Sequence, residues 1–369
     1  MIVKQLNFIL MHVFGVGCAC NKENYKLLNA YNVTLALILF SISVRVYLEK
    51  KFLYTGFSIF ATCLHFVQYY LVVTHVIYTI LHTTFVREKY GAISMHIETL
   101  GLFVVTFYSA VALSALFVEE QFVSWSCWTS VYLTTVTSAL YINYLVSLLK
   151  YCSKQLKALC KHFEDLVSIP CTLTKITKCL SSSAQAESES LPKAFVQHKA
   201  LCDLSENILQ KSVVSVALLL LSGCFSYSVL LYKIAMYFIS SIQIRRSQWF
   251  TWYMIDSQTV VLSIEIYTLI RSCEGVTTDA NRIAIVLHKV RNVHPNFGGA
   301  DFNAHSMRLL NQKLRLSLSG VFVLDVDLLV GILVFFGTLV VISLQCDEDF
   351  LVTNPKTVLL MSSSNETSV

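Results

Sequence analysis

The 369-residue chain is 55% hydrophobic and only 14% charged, with a mean hydropathy of +0.61. That excludes a soluble globular protein, which carries about a quarter of its residues as charges. The net charge of +5 is spread along the chain with no basic patch interleaved with aromatics, so a nucleic-acid surface is excluded too.

In chain order, the opening stretch "MIVKQLNFILMHVFGVGC" has one basic residue ahead of a short apolar run and looks like a weak signal peptide. Cleavage would invert the charge distribution given below, so the stretch is read instead as a short amphipathic or re-entrant helix. A spanning helix needs roughly 20 mostly apolar residues. Seven runs qualify, at about 31–48, 55–83, 94–118, 122–149, 212–238, 251–271 and 321–346. Barrel strands would be about 10 residues long and strictly alternating, so the runs predict an all-α, polytopic membrane protein with seven transmembrane helices.

Lysine and arginine set the orientation. With the N-terminus in the cytoplasm, 21 of the 28 fall in inner segments and 7 in outer ones. Without the long 150–211 loop, which informs weakly, the split is 12 to 7. The expectation is an N-terminus inside and a C-terminus outside, opposite to a G-protein-coupled receptor. The segment 347–369 is then a disordered extracellular tail with a glycosylation acceptor at Asn365. A second acceptor, Asn32, falls at the inner membrane edge and is expected to go unused. The terminal "TSV" resembles a ligand for carboxylate-capturing domains, but outside it would meet no cytosolic partner.

The inner loops 150–211 and 272–320 carry helical patterns of their own. "KYCSKQLKALCKHFEDL" continues the fourth span with Leu156, Leu159, Cys160 and Phe163 on one face. A flexible "SSSAQAESES" follows, and "HKALCDLSENILQK" then leads into the fifth span with the same period. "SMRLLNQKLRLSLSG" precedes the last span with Leu309, Leu310, Leu314 and Leu316 three to four apart or nearly so. Three amphipathic inner helices predict a cytoplasmic anchor domain suited to self-association.

No enzyme chemistry is apparent: there is no P-loop, GxSxG or HExxH, and no pair of acids on one face of a span. Of the 12 cysteines, eight lie in predicted cytoplasmic segments without CxxC or zinc spacing, so neither a disulfide framework nor a metal site nor any cofactor is expected. Polar residues within spans are costly and tend to mark function. The sixth span holds Asp256, Gln258 and Glu265, and the fifth holds Lys233 near its outer end. Glu265 suits either an interhelical hydrogen bond or, with Asp256, the carboxylate relay of a secondary transporter. His65 and His75 in the second span read as interhelical hydrogen-bonding groups. Aromatic residues crowd the outer halves of spans four to six, which fits an interfacial belt and also the wall of a small-molecule pocket.

The last span, "VFVLDVDLLVGILVFFGTLVVISLQC", places Thr338, Ile342 and Gln345 on one helical face at i, i+4 and i+7. Periodicity leaves two uses open: one interhelical hydrogen bond, or a water-lined stripe repeated around a symmetry axis. The segment 306–346 resembles the C-terminal signature of the insect gustatory receptors, whose last helix ends in threonine, tyrosine, five apolar residues, glutamine and phenylalanine. Here Thr338, the spacing and Gln345 match, while Leu339 stands for the tyrosine and Cys346 for the phenylalanine. "LNQKLRLSLSGVFVLDVDLL" resembles the family's run from a short inner helix through a glycine and Phe-x-Leu-Asp into the last helix. The N-terminal "FGVG" agrees as well.

The resemblance implies a tetrameric, ligand-gated, non-selective cation channel in the plasma membrane of a sensory neuron, either homomeric or assembled with related subunits. It puts the last helix of each subunit around one pore, with the outer gate at Gln345 and Cys346 and a further pore-facing position at Ile342. Sugar-sensing members carry glutamate where this chain has Val340, which leaves a bitter-type tastant by elimination. Ligand binding in the family lies in the outer half of the bundle. There Trp128, Tyr232, Tyr253, Asp256 and Gln258 have suitable depth and chemistry. A metabotropic receptor would need the opposite orientation.

Overall fold

The computed structural model describes residues 22–48, 59–90, 125–167, 181–240, 246–293, 299–311 and 313–353. The predicted third span, 94–118, the N-terminal stretch and Asn365 lie outside them. The described elements are helices α1 (Lys22–Leu48), α2 (Ile59–Tyr90), α3 (Trp125–Val167), α4 (Ser181–Ser240), α5 (Arg246–Val293) and α6 (Gly299–Asn311), a two-stranded hairpin β1 (Ser317–Leu318) and β2 (Phe322–Val323), and helix α7 (Val326–Thr353).

Six of the seven predicted spans fall on these helices, and the helices outrun the spans. Helix α3 holds 43 residues and α4 holds 60, so at 1.5 Å per residue they extend roughly 65 and 90 Å. A bilayer core takes up about 30 Å of that. The excess is the amphipathic sequence read above, which continues the spans without a break. Ser181–Ser190, expected to be a flexible linker, is helical as the first turns of α4. Its Ser, Gln and Glu content looked like linker, yet Ala, Gln and Glu are good helix formers. Helix α7 also runs to Thr353, two turns past the expected end at Cys346 and into the segment read as disordered tail.

The third amphipathic helix is shorter than its leucine spacing suggests. It stops at Asn311, and Leu314 and Leu316 sit in an extended segment that enters the hairpin. Ser319 (φ 50°) and Gly320 (φ 75°) both occupy the left-handed region, which ends a helix and favours a tight turn. The turn closes with Val321 N–H donating to the Leu318 carbonyl at 3.0 Å. The strands pair antiparallel, Ser317 with Val323 and Leu318 with Phe322, and Leu324 N–H donates to the Leu316 carbonyl at 2.9 Å. Helix α7 then starts on an N-cap: Asp325 Oδ1 accepts from Leu328 N–H at 3.0 Å.

The helices lie alongside one another in pairs, α3 along α5 and α2 along α4, with α1 against α2 and α3. One core cluster runs from the predicted spans into the helical extensions beyond them. It includes Tyr141, Leu145, Leu149, Leu156 and Phe163 of α3, Ile208, Val216 and Leu219 of α4, and Leu269, Val276, Ile283 and Leu287 of α5. Leu316, Leu318 and Leu324 of the hairpin close its end. Gly223 brings α4 close to α5, because a Cβ there would collide with Cδ1 of Ile266. Asn281 of α5 fastens the approach to the hairpin: its Oδ1 accepts from Leu314 N–H at 2.9 Å and its Nδ2 donates to the Leu314 carbonyl at 3.2 Å. The side chain thus satisfies an extended backbone as a neighbouring strand would.

Candidate functional site

Helix α7 has two unlike faces. On one, Phe336 and Val340 are buried against α4: Phe336 meets Phe225 with ring centroids 6.1 Å apart, and Val340 packs with Tyr232, Leu231 and Leu344. On the other, Asp327, Val330, Val334, Thr338, Val341, Ile342 and Gln345 are all exposed. Thr338, Ile342 and Gln345 therefore share the exposed face, as their spacing predicts. The Thr338 hydroxyl donates to the Val334 carbonyl at 2.9 Å, so it needs no partner in lipid. The side chain of Cys346 lies outside those described.

Of the expected ligand contacts, Tyr232 and Gln258 are buried, and the side chains of Trp128, Tyr253 and Asp256 lie outside those described. Tyr232 sits between α4 and α7 and reaches the last helix itself. Sequence reasoning missed a second polar contact in the same predicted outer half. The Tyr69 hydroxyl of α2 lies 2.6 Å from Ser130 Oγ of α3 and 3.4 Å from Ser43 Oγ of α1. Tyr70 donates to the Ser43 carbonyl at 3.4 Å and packs on Phe66 and Tyr69. The signal was the aromatic run "FVQYY" in the second span, whose small-residue partners on α1 and α3 no spacing rule identifies.

A chain of hydrogen bonds crosses the middle of the bundle. Thr79 Oγ1 of α2 and Ser215 Oγ of α4 are 2.6 Å apart. Ser215 Oγ lies 3.4 Å from His75 Nδ1, and His75 Nε2 lies 3.4 Å from Ser138 Oγ of α3. Ser138 donates to Glu265 Oε2 of α5 at 2.9 Å. A neutral His75 protonated on Nε2 lets every group donate to the next, from Thr79 to Glu265. Glu265 Oε1 has no hydrogen-bond partner among the described residues. The chain ties four helices together, and buried polar networks of this kind have few alternative arrangements. Asn32, the second acceptor sequence, is wholly buried and donates to the Ile80 carbonyl at 3.2 Å, so it offers no glycosylation site.

Residues 92–350, more than two thirds of the chain, match the family model of the 7tm chemosensory receptors. The chain belongs to that family. A comparison with curated proteins finds no match. Membership makes this a membrane-embedded chemoreceptor, in agreement with the resemblance to insect gustatory receptors.

Beyond the predicted spans, burial raises the pKa of several of the receptor's described thiols. Burial pushes the thiol of Cys152 up to about 11 and that of Cys273 up to about 12. Burial, helped by the carboxylates of Glu206 and Asp203, pushes Cys202 up to about 12. Such thiols stay protonated and unreactive. His198 Nε2 donates to the Ala280 carbonyl at 3.4 Å. Burial lowers its pKa below the ordinary histidine value and outweighs the opposing pull of that carbonyl. Arg282 pairs with Glu164 across α5 and α3 at 2.7 Å.

Proposed function

We propose that this receptor is a subunit of a tetrameric, ligand-gated, non-selective cation channel in a sensory-neuron plasma membrane, N-terminus inside, opened by a bitter-type rather than sugar tastant. The observation that carries the reading is the two-faced last helix. One face is seated on α4, and the other carries Asp327, Thr338 and Gln345 among exposed apolar residues. A face bound only for lipid gains nothing from a glutamine. Four copies around an axis would give that glutamine water and leave Ile342 as an apolar constriction of the kind that gates by drying.

In this reading the tastant binds among the outer halves of the helices, around Tyr232, Gln258 and the Tyr69 cluster. Tyr232 then links pocket to pore, since it packs on Val340. Movement of α4 would carry α7 with it, while Asn281 and the hairpin hold the inner end of α7 in place. Cys346 in place of phenylalanine makes a wider, less hydrophobic gate, and Leu339 in place of tyrosine lacks a hydroxyl that could tie helices together; both changes suit assembly with related subunits.

The hydrogen-bonded chain ending at Glu265 favours one rival, a proton- or ion-coupled transporter using Glu265 and Asp256. Ligand-evoked whole-cell current separates the two. As a channel, Glu265→Gln keeps its current because the amide can still accept from Ser138, whereas Gln345→Leu alters conductance. Loss of function in Glu265→Gln with Gln345→Leu unaffected would give the transporter the case.

A further inference from the structure

At the predicted inner membrane boundary, a cavity of about 520 Å³ opens between α3 and α5, with Lys150, Lys154 and Lys157 on one wall and Tyr267, Arg271 and Gly275 on the other. That volume suits a small-molecule head group. The lysines recur at i, i+4 and i+7, and Lys161 continues the stripe at i+11, so they share one exposed face of α3. Lys150 directly follows the predicted fourth span, and Arg271 ends the sixth. The two helices thus present cations at the level where hydrocarbon gives way to lipid head groups.

The facing charges leave the groove positive. Asp279 lies 3.7 Å from Lys157 and accepts from the Ser153 hydroxyl, and Glu274 pairs with Arg271 at 2.6 Å. Among the described residues, four cations line the groove, and two carboxylates, those of Asp279 and Glu274, pair with Lys157 and Arg271. Both carboxylates lie beyond Arg271 along α5, away from the predicted membrane. The pair of Arg271 with Glu274 is exposed on both sides, and such a pair holds its arginine weakly. The hydroxyls of Thr268 and Ser272 are committed to backbone carbonyls of their own helix, so the ammonium and guanidinium groups, with the Tyr267 hydroxyl beside Arg271, are the donors a ligand would meet. Gly275 leaves the floor open, with nothing within 4 Å of where its Cβ would stand.

We propose that this groove binds a phosphate monoester presented by the head group of an anionic inner-leaflet lipid, with Lys150, Lys154 and Arg271 on the phosphate. Its physical basis is the attraction of clustered basic residues just inside a membrane span to anionic lipid. The site rests on the orientation proposed above. By bridging α3 to α5, the bound head group would hold together two helices that pack along one another.

The test uses full-length receptor in mixed micelles with fluorescent phosphatidylinositol bisphosphate, and phosphatidylcholine as the control lipid. Wild type binds the phosphoinositide in preference to phosphatidylcholine. Lys154→Gln weakens binding about fivefold, the effect of one neutralised charge near a surface, and Lys154→Arg restores it. Gly275→Leu fills the floor and abolishes binding with every charge intact. Size-exclusion profiles matching wild type confirm that both variants are folded. No preference in wild type, or wild-type binding in both Lys154→Gln and Gly275→Leu, overturns the site. Inositol trisphosphate that binds as tightly as the lipid overturns the lipid assignment in favour of a soluble phosphate ligand. Orientation is read separately by antibody against a C-terminal tag on unpermeabilised cells. An inverted chain that still binds in micelles therefore counts against the inner-leaflet placement and not against the groove.

Discussion

The hairpin end of the bundle and the last helix are both built from Leu, Val, Ile and Phe, and they treat those side chains in opposite ways. In the core cluster that includes the hairpin leucines, Phe163, Ile208, Leu269, Ile283 and Leu287 are wholly buried. Along α7, Val330, Val334, Phe335, Val341 and Ile342 are each more than half exposed. The core that includes the hairpin is closed within the one chain, and the last helix leaves apolar side chains uncovered. Helix α1 provides a reference for a surface facing lipid, since Leu37, Ile38 and Phe40 are exposed there without an acid or a glutamine beside them. The exposed face of α7 adds Asp327 and Gln345, which is how a surface awaiting other subunits and water would differ from one awaiting lipid.

The contrast can be broken most directly at its two phenylalanines. Phe163→Ala removes a fully buried ring that packs on Phe195 at 6.2 Å and is expected to cost about 3–5 kcal/mol, seen as a large fall in melting temperature of the detergent-solubilised protein. Phe335→Ala should leave the single subunit within about 0.5 kcal/mol and instead reduce the mass of the native complex. Equal melting losses from the two would erase the distinction between regions. A smaller effect is expected at Asn281→Ala, which strands the Leu314 backbone groups and costs about 2 kcal/mol. Hydrogen exchange should rise through the approach to the hairpin while the spans stay protected.

The smallest expected effect is a pH dependence confined to the anchor. The folded state holds His198 neutral by burial, so its pKa lies below the usual value of 6.5. The unfolded chain therefore takes up the proton first. The stabilisation is fully present above about pH 6.5 and is lost as pH falls toward the folded pKa. His198→Asn should flatten the melting temperature between pH 7 and pH 5, and an unchanged slope would remove His198 from the account.

Hydropathy located long apolar runs, and these runs are helical wherever the chain is described, except for 321–325 at the hairpin. Six described helices carry six of the runs, and the amphipathic extension of α3 was legible from the spacing of Leu156, Leu159 and Phe163. The hairpin was not. Leu309, Leu310, Leu314 and Leu316 fit a helical period, and the two left-handed residues at Ser319 and Gly320 together with the Asn281 clamp decide otherwise, through a contact 33 residues away. Ser181–Ser190 was misread because polarity without periodicity looks the same in a linker and in an exposed helix end. At the site, the exposed stripe of Thr338, Ile342 and Gln345 followed from spacing along one helix. The link from His75 through Ser138 to Glu265 joins three helices, and no pattern within one segment encodes it.

The most direct test of the central claim, that the exposed face of α7 lines a pore, is ligand-evoked whole-cell current before and after a membrane-impermeant thiol reagent applied outside, in cells expressing the receptor alone and with related subunits. Cys346 directly follows Gln345 in the sequence, the thiols of Cys152 and Cys273 are buried and that of Cys202 is half-buried, and burial raises the pKa of all three. The account predicts a cation current that the reagent alters and that becomes insensitive in Cys346→Ser. A labelled Cys346 with an unaltered current would contradict it.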